Sequence, residues 1–401
     1  MRQSLAELVQ PLSLAAAAAP TIRLLVLQPT PFCNIDCRYC YLPDRARRGR
    51  MAFAVLERAL ARIAESGWLG DRLDIAWHAG EPLVLPLDYY AAALDLCDAA
   101  LGGSTTVRHG FQTNAILLDR AWCRFLLDRG ISLGVSLDGP ARFHDSRRVT
   151  RSGAGTHARV MRGVRLLQDH GVPFHVICVT NAEALECPDE LIDFFLAHNI
   201  FRVGFNIEEL DGVNRTSSTL DAERAYRRFM ARVLERVRQS GGALRVRELE
   251  SMRDALTDPG FGRYADNDQN RPFAILSIDW QGGIATFSPE LLGTSHARYG
   301  ELTFGNVATH ALADIGAEPR FRTVAEAIAA GVRACAERCA YFPVCLGGAP
   351  ANKLGELDDL AGTETMHCRL TQQALLDAVL DDLERYGTTP ARVATAGAVR
   401  S

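Results

Sequence analysis

The stretch Gln28-Pro-Thr-Pro-Phe-Cys33-Asn-Ile-Asp-Cys37-Arg-Tyr-Cys40-Tyr41 follows directly on the apolar run Leu24 to Leu27. That run reads as a β-strand, so the cysteines lie on the loop that leaves its C-terminal end. One loop supplies three thiolates, spaced by three and then two residues. Structural zinc sites want four ligands, usually a close pair followed by a distant second pair. Three thiolates with no nearby fourth suit a cubane iron–sulfur cluster with one open iron. A zinc loop and chance clustering are the competing readings.

Working outward, short apolar runs alternate with helical patterns as far as residue 210. Strands are expected at Leu24 to Leu27, Leu73 to Trp77, Val107 to Gln112, Ile131 to Ser136, Pro173 to Val179 and Phe201 to Asn206. Helices are expected at Ala52 to Ser66, Leu87 to Ala99, Asp119 to Arg129, His157 to His170 and Pro188 to His198. Such alternation implies parallel strands joined by right-handed crossovers. Six units are too few for an eight-fold barrel. The fold class is therefore α/β, a partial (β/α)6 TIM barrel open at one side.

Polar motifs stand at the ends of these strands. They are the cysteine loop, His78-Ala-Gly-Glu-Pro82, Gln112-Thr-Asn114 and Ser136-Leu-Asp-Gly139. Arg147 and Arg148 follow the fourth strand, where a solvated basic loop competes with contacts to a substrate. Glu208 and Glu209 follow the sixth, with one of the two expected outside the site. Ligands of parallel α/β folds bind at that edge.

Residues 220 to 256 read as charged amphipathic helices. Ala274 to Trp280 and Ile284 to Phe287 flank Gln281-Gly-Gly283 as a β-hairpin. A helix around Thr323 to Gly331 leads to Cys335-x3-Cys339-x5-Cys345, with Cys368 beyond, and a last helix covers Thr371 to Tyr386. Four thiolates can complete an auxiliary 4Fe–4S cluster with no open iron. A zinc knuckle is the alternative. Cys97, Cys123, Cys178 and Cys187 read as buried small hydrophobes. The expected organisation is a flexible 1–20, a core over 21–235, a helical linker over 236–270, a cluster domain over 271–386 and a disordered 387–401.

The formal net charge of −4 offers no basic field for nucleic acid. No apolar run approaches the ~18 residues of a membrane span. The N-terminal run from Leu12 to Ala19 loosely resembles a signal peptide, but it is short and Glu7 interrupts the region before it. Eleven cysteines, seven of them in two tight clusters, point to metal and a reducing cytoplasm, not to a disulfide framework.

The spacing C-x3-C-x2-C, with aromatic Tyr39 before the last cysteine, resembles the signature of the radical S-adenosylmethionine (radical SAM) superfamily. His78-Ala-Gly-Glu-Pro82 resembles its GGEP motif, with Ala79 where Gly is usual. The resemblance covers roughly residues 22 to 235. It implies that Cys33, Cys37 and Cys40 hold a 4Fe–4S cluster whose open iron chelates S-adenosylmethionine. It places Tyr39 against the adenine, Gly80 and Glu81 at the cofactor's ammonium, and Asn114 and Ser136 toward cofactor or substrate, with Asp138 a weaker candidate. His78 is expected to pack within its own turn. One electron, from a donor such as ferredoxin or flavodoxin, would cleave the sulfonium and yield a 5′-deoxyadenosyl radical that abstracts hydrogen.

The second cysteine group resembles a SPASM domain, the extension of peptide-modifying radical enzymes. A full SPASM domain holds two auxiliary clusters. Here Ala349 stands where one cysteine of the first is usual, and the hairpin around Phe287-Ser-Pro-Glu290 lacks two more. This implies one auxiliary cluster, held by Cys335, Cys339, Cys345 and Cys368. The whole pattern looks most like the cyclophane-forming maturases of ribosomal precursor peptides, which join an aromatic ring carbon to a β-carbon. Glu290 is the candidate base, near where sulfatase maturases place a catalytic Asp; a solvated surface Glu is the competing reading. Thioether formation, formylglycine formation and a non-catalytic iron–sulfur carrier are the alternative functions.

Overall fold

The computed structural model describes residues 20–387 except 259, 262, 263 and 265. The expected flexible start and disordered tail lie outside the described residues, apart from Pro20 and Gly387 at their inner edges. Six parallel strands form the centre: β1 Ile22–Leu27, β2 Leu69–Trp77, β3 Thr106–Thr113, β4 Ser132–Ser136, β5 His175–Thr180 and β6 Arg202–Ile207. Between them run α1 Phe53–Ser66, α2 Leu87–Leu101, α3 Arg120–Asp128, α4 His157–Asp169 and α5 Pro188–Ala197. The local causes are those visible in the chain. In α1 the buried residues Leu56, Ala59, Leu60 and Ile63 recur at helical spacing, and Gly67 ends the helix with φ 67°. Asp119 caps α3 by accepting from the Trp122 amide at 2.8 Å. Pro188 occupies the first turn of α5.

The sheet does not stop at six strands. After α6 Glu223–Gln239 comes the short β7 Arg245–Val246, which pairs with β6. Then α7 Arg247–Thr257 leads to the hairpin β8 Ile275–Ile278 and β9 Gly283–Thr286. Strand β8 runs parallel to β1 on the side opposite β2, so Leu25 is flanked by Leu276 and Ile75. With β10 Gly305–Asn306 the order is β10-β9-β8-β1-β2-β3-β4-β5-β6-β7. The two edges do not pair, so the barrel stays open. The hairpin thus continues the sheet of the first half. Only long-range pairing decides this, and no local pattern carries it.

Helix α8, Pro319–Arg338, is longer than the sequence pattern suggests. Gly331 reads as a stop but lies inside the helix. A Cβ there would meet the carbonyls of Gly362 and Leu360 at 2.9 and 3.0 Å, so close packing selects the glycine. Helix α9 covers Pro350–Leu357. The last helix, α10 Leu375–Tyr386, is preceded by a π-helical turn over Arg369–Ala374.

Aromatic rings anchor both halves. Tyr90 of α2 packs edge-on to Trp77, Phe111 and Trp122 at centroid distances of 5.4, 4.8 and 5.7 Å. Phe321 of α8 meets Phe273, Phe287 and Phe304 at 5.1, 5.9 and 5.1 Å. These rings hold α8 against the hairpin. Truncation of Phe321 to Ala is expected to cost about 3–5 kcal/mol, because the cavity cannot refill from the rigid rings around it. A thermal melt that matches the parent protein would show that this contact does not hold α8 against the hairpin.

Candidate active site and second cysteine cavity

All six strand ends open onto one cavity of about 280 Å³. Cys33, Cys37 and Cys40 line it together with Tyr39, Gly80, Glu81, Asn114, Ser136 and Glu290. Four devices hold the cysteine loop. Asp36 and Cys37 pair with Val149 and Arg148 as a two-stranded ribbon. The Gly80 turn is clamped on the loop: the Glu81 amide donates to the Phe32 carbonyl at 2.9 Å. A Cβ at Gly80, where φ is 60°, would meet the Thr30 and Phe32 carbonyls at 2.6 Å. At the far end, Val213 donates to the Tyr41 carbonyl at 3.0 Å, so the loop after β6 closes over it.

The fourth device is a buried charge hub. Asp138 is 2% exposed. Its carboxylate accepts from Tyr39 Oη at 2.7 Å, Arg148 Nε at 2.9 Å, Arg148 Nη2 at 3.1 Å and the Val179 amide at 2.9 Å. Four donors from three segments saturate it. Arg148 also reaches Cys37 Sγ at 3.8 Å. The expected roles of the basic pair are therefore corrected. Arg148 is buried and ion-paired, not a solvated loop residue, and it lines the cavity. Arg147 pairs with Glu208, which also accepts from Ser218. Glu208 thus faces away, and Glu209 lines the cavity.

Glu81 is 1% exposed and accepts from the Leu83 amide at 3.0 Å, Thr113 Oγ1 at 2.6 Å and the Asn114 amide at 2.8 Å. It ties the end of β2 to the end of β3, with limited acceptor capacity left for a ligand. Burial pushes its carboxyl up to about 7, against the pull of those hydrogen bonds. Asn114 donates to Asn34 Oδ1 at 2.7 Å, and Ser136 accepts from Gln112 at 2.9 Å. His78 does not pack within its own turn. It contacts Tyr41 Oη at 3.2 Å, and burial lowers it to about 4, so it is neutral. Asp211 is a cavity residue that no sequence motif marked, and Tyr41, Gln112 and Thr113 lie within quoted motifs without having been given a role.

The thiols are strained electrostatically. Burial and then the Glu81 charge push Cys33 up to about 12. Burial pushes Cys37 up to about 11, opposed by Arg148. Crowded buried thiols of this kind suit a cationic centre that would make them thiolates. Glu290 stands half-buried on the same wall. Burial, then the charge of Glu209, raises it to about 7.

A second cavity, of about 410 Å³, is lined by Cys335, Cys339, Cys345 and Cys368. The loop after Cys345 takes three consecutive left-handed residues, Leu346, Gly347 and Gly348. Asn267 and Asn270 hold its carbonyls at 3.0 to 3.1 Å. A tetrahedral zinc would bring its sulfurs within about 3.8 Å of one another. Among the described residues, no three metal-binding side chains converge as a single ion requires. Four cysteines on one cavity wall are the donor set that a cluster bound by four thiolates would use. Cys97, Cys123 and Cys178 are buried as expected, and Cys187 is partly so.

The profile of the radical SAM superfamily matches residues 27–195. The uncharacterized protein sll1766 of Synechocystis sp. is 39% identical over 369 residues, 90% of this chain and 92% of that one. The chain belongs to the radical SAM superfamily. Its relatives include the serine-type anaerobic sulfatase-maturating enzyme of Bacteroides thetaiotaomicron, 33% identical over 190 residues. That match spans 45% of either protein, under half the length of the relative. Among solved structures, anSMEcpe with bound AdoMet and the Cp18Cys peptide has a TM-score of 0.73 at 17% identity, covering 92% of this chain and 99% of that one. Streptococcus suis SuiB bound to precursor peptide SuiA has a TM-score of 0.61 at 17% identity, covering 87% and 76%. These likenesses establish the α/β radical SAM fold and an enzyme. The superfamily's cofactors are a 4Fe–4S cluster and S-adenosylmethionine. No helix among the described residues is long and apolar enough to cross a membrane.

The Asp138 hub generates a prediction. Replacing Asp138 with Asn leaves the buried Arg148 cation uncompensated, at a cost of about 3–5 kcal/mol. The variant should melt lower and retain less iron at the Cys33 loop. Wild-type melting and full iron content would mean that the ion pair does not hold that loop.

Proposed function

We propose that this radical SAM enzyme matures a ribosomally made precursor peptide, closing a cyclophane between an aromatic ring carbon and a β-carbon. In this reading Cys33, Cys37 and Cys40 hold the cluster that opens on S-adenosylmethionine. Cys335, Cys339, Cys345 and Cys368 hold one auxiliary 4Fe–4S cluster. The bound cofactors supply a 5′-deoxyadenosyl radical, which removes one hydrogen atom from the peptide. Residues of this chain do the rest. Tyr39 and Ser136 shape the wall for the adenosyl group, and Gly80, Glu81 and Asn114 form its amino-acid end.

Ring closure removes two hydrogens from the peptide. The first would leave as an atom to the 5′-deoxyadenosyl radical, which becomes 5′-deoxyadenosine. The second leaves as a proton and an electron, which restores the aromatic ring. Glu290 takes the proton, since its raised carboxyl is matched to neutral pH. A cluster held by Cys335, Cys339, Cys345 and Cys368 would supply the acceptor for the electron. One observation carries this division of labour. Glu209, on the first cavity wall, accepts from Asn352 at 2.8 Å and stands 3.7 Å from His367. The next residues in the chain, Lys353 and Cys368, line the second cavity. The two cavities are therefore neighbours across one helix and one side chain.

The sulfatase-maturating relatives favour a second reading, formylglycine formation on a Ser or Cys. Both outcomes remove two hydrogens from a serine-bearing peptide, so mass alone does not separate them. Coexpression with the peptide encoded beside this gene, followed by tandem mass spectrometry, does. A cyclophane suppresses backbone fragmentation inside a three-residue ring and reacts with no hydrazide probe. Hydrazide labelling, or an unchanged mass, would count against ring closure.

Glu290→Gln should lower ring formation by about 10²-fold or more while 5′-deoxyadenosine continues to form. Equal loss of both products would place Glu290 outside proton transfer. The pH profile gives an independent check. A base raised to about 7 is protonated and idle below that value and competent above it. Ring formation in the parent enzyme should therefore rise between pH 6 and 8. A flat profile over that range would exclude Glu290 as the acceptor.

A further inference from the structure

Lys353 stands in the first turns of α9, and its side chain is 2% exposed. Its ammonium makes no hydrogen bond among the described residues, and no carboxylate there forms an ion pair with it. Lysine is almost never buried unpaired, because desolvation of the charge costs several kcal/mol. The chain nevertheless makes room for this one. The Cβ of any larger residue at Gly331 would lie 3.0 Å from Lys353 Nζ. The side chain lines the cavity of the four cysteines, and Cys335, Cys345 and Cys368 are the groups that act on it electrostatically. Glu364 also lines that cavity, but it accepts from Gln373. Among the described residues no carboxylate stands within ion-pair distance of this cation, and the sulfurs of Cys335, Cys345 and Cys368 face it.

We propose that Lys353 is the resident countercation of the auxiliary cluster, donating to its sulfurs and raising its reduction potential. This rests on the auxiliary-cluster reading given above. A cubane bound by four thiolates is doubly negative when oxidised and triply negative when reduced. A fixed ammonium stabilises the reduced state more, so the site accepts an electron more readily. The step is one electron, taken from the organic radical during turnover or from dithionite in a titration, with no bond made or broken at Lys353. Its position in the chain suits the task. Asn352 holds Glu209 at the substrate cavity, and the next residue meets the electron acceptor.

The test uses the full chain with Cys33, Cys37 and Cys40 replaced by alanine, so that the auxiliary site alone is titrated. Reconstitution is anaerobic, and iron content and the midpoint potential by EPR are the readouts. Lys353→Met should keep its iron and shift the midpoint to more negative values, and Lys353→Arg should recover most of the shift. If methionine costs the site its iron and arginine restores it, the cation is needed to assemble the cluster, which also supports the proposal. An unchanged midpoint with iron retained in Lys353→Met overturns it. Loss of iron in both variants overturns it too, because shape and not charge would then be what matters. Failure of the underlying reading looks different: the chain would bind no iron at this site before Lys353 is touched.

Discussion

Everything in the first half depends on crowding three sulfurs onto one loop at the open edge of a parallel sheet. Water solvates thiolates; a buried loop does not. Burial raises Cys33 and Cys37 far above a free thiol, so the loop would relax outward if nothing held it. Asp138 and Arg148 hold it from one side through Tyr39 and the short ribbon. Gly80 holds it from the other, in a conformation and at a distance that a side chain would forbid. The motif residues are thus scaffolding as much as ligands. Glu81 joins two strand ends before it meets any cofactor.

The second half solves a different electrostatic problem. Its four cysteines sit around a larger cavity, and their loop is held by asparagine side chains on backbone carbonyls. Among the described residues no carboxylate forms an ion pair with Lys353 in that wall. Helix α9 makes the two problems one, because adjacent residues on it serve adjacent cavities. Gly355 of the same helix lies so close to Leu210 that no other residue fits, which locks the helix against the loop carrying Glu209 and Asp211.

Much of this was legible in the chain. Strand and helix positions in the first half follow from alternation, because each βα unit buries its own apolar face locally. The cysteine loop and the Gly80 turn are legible because spacing and residue type are dictated by chemistry. What was hidden is whatever depends on distant pairing. No pattern shows that Leu276 lies beside Leu25, or that Gly331 is an internal packing glycine. Arg148 read as one of two basic loop residues and Asp138 as a weaker cofactor-facing candidate, since no local pattern pairs them. Tyr41 and Asp211 became cavity residues only when the loops after β1 and β6 closed on each other. Lys353 carried no signal in the sequence, because burial cannot be inferred from one charged residue in a short helix.

The central claim is that the Cys33 loop carries the cluster on which S-adenosylmethionine is reductively cleaved. Anaerobic reconstitution of the chain, with and without alanine at Cys33, Cys37 and Cys40, followed by dithionite and quantification of 5′-deoxyadenosine, tests it directly. The parent protein should form 5′-deoxyadenosine, and the triple variant should form none while keeping the iron of the second cavity. Equal 5′-deoxyadenosine from both proteins would contradict the account.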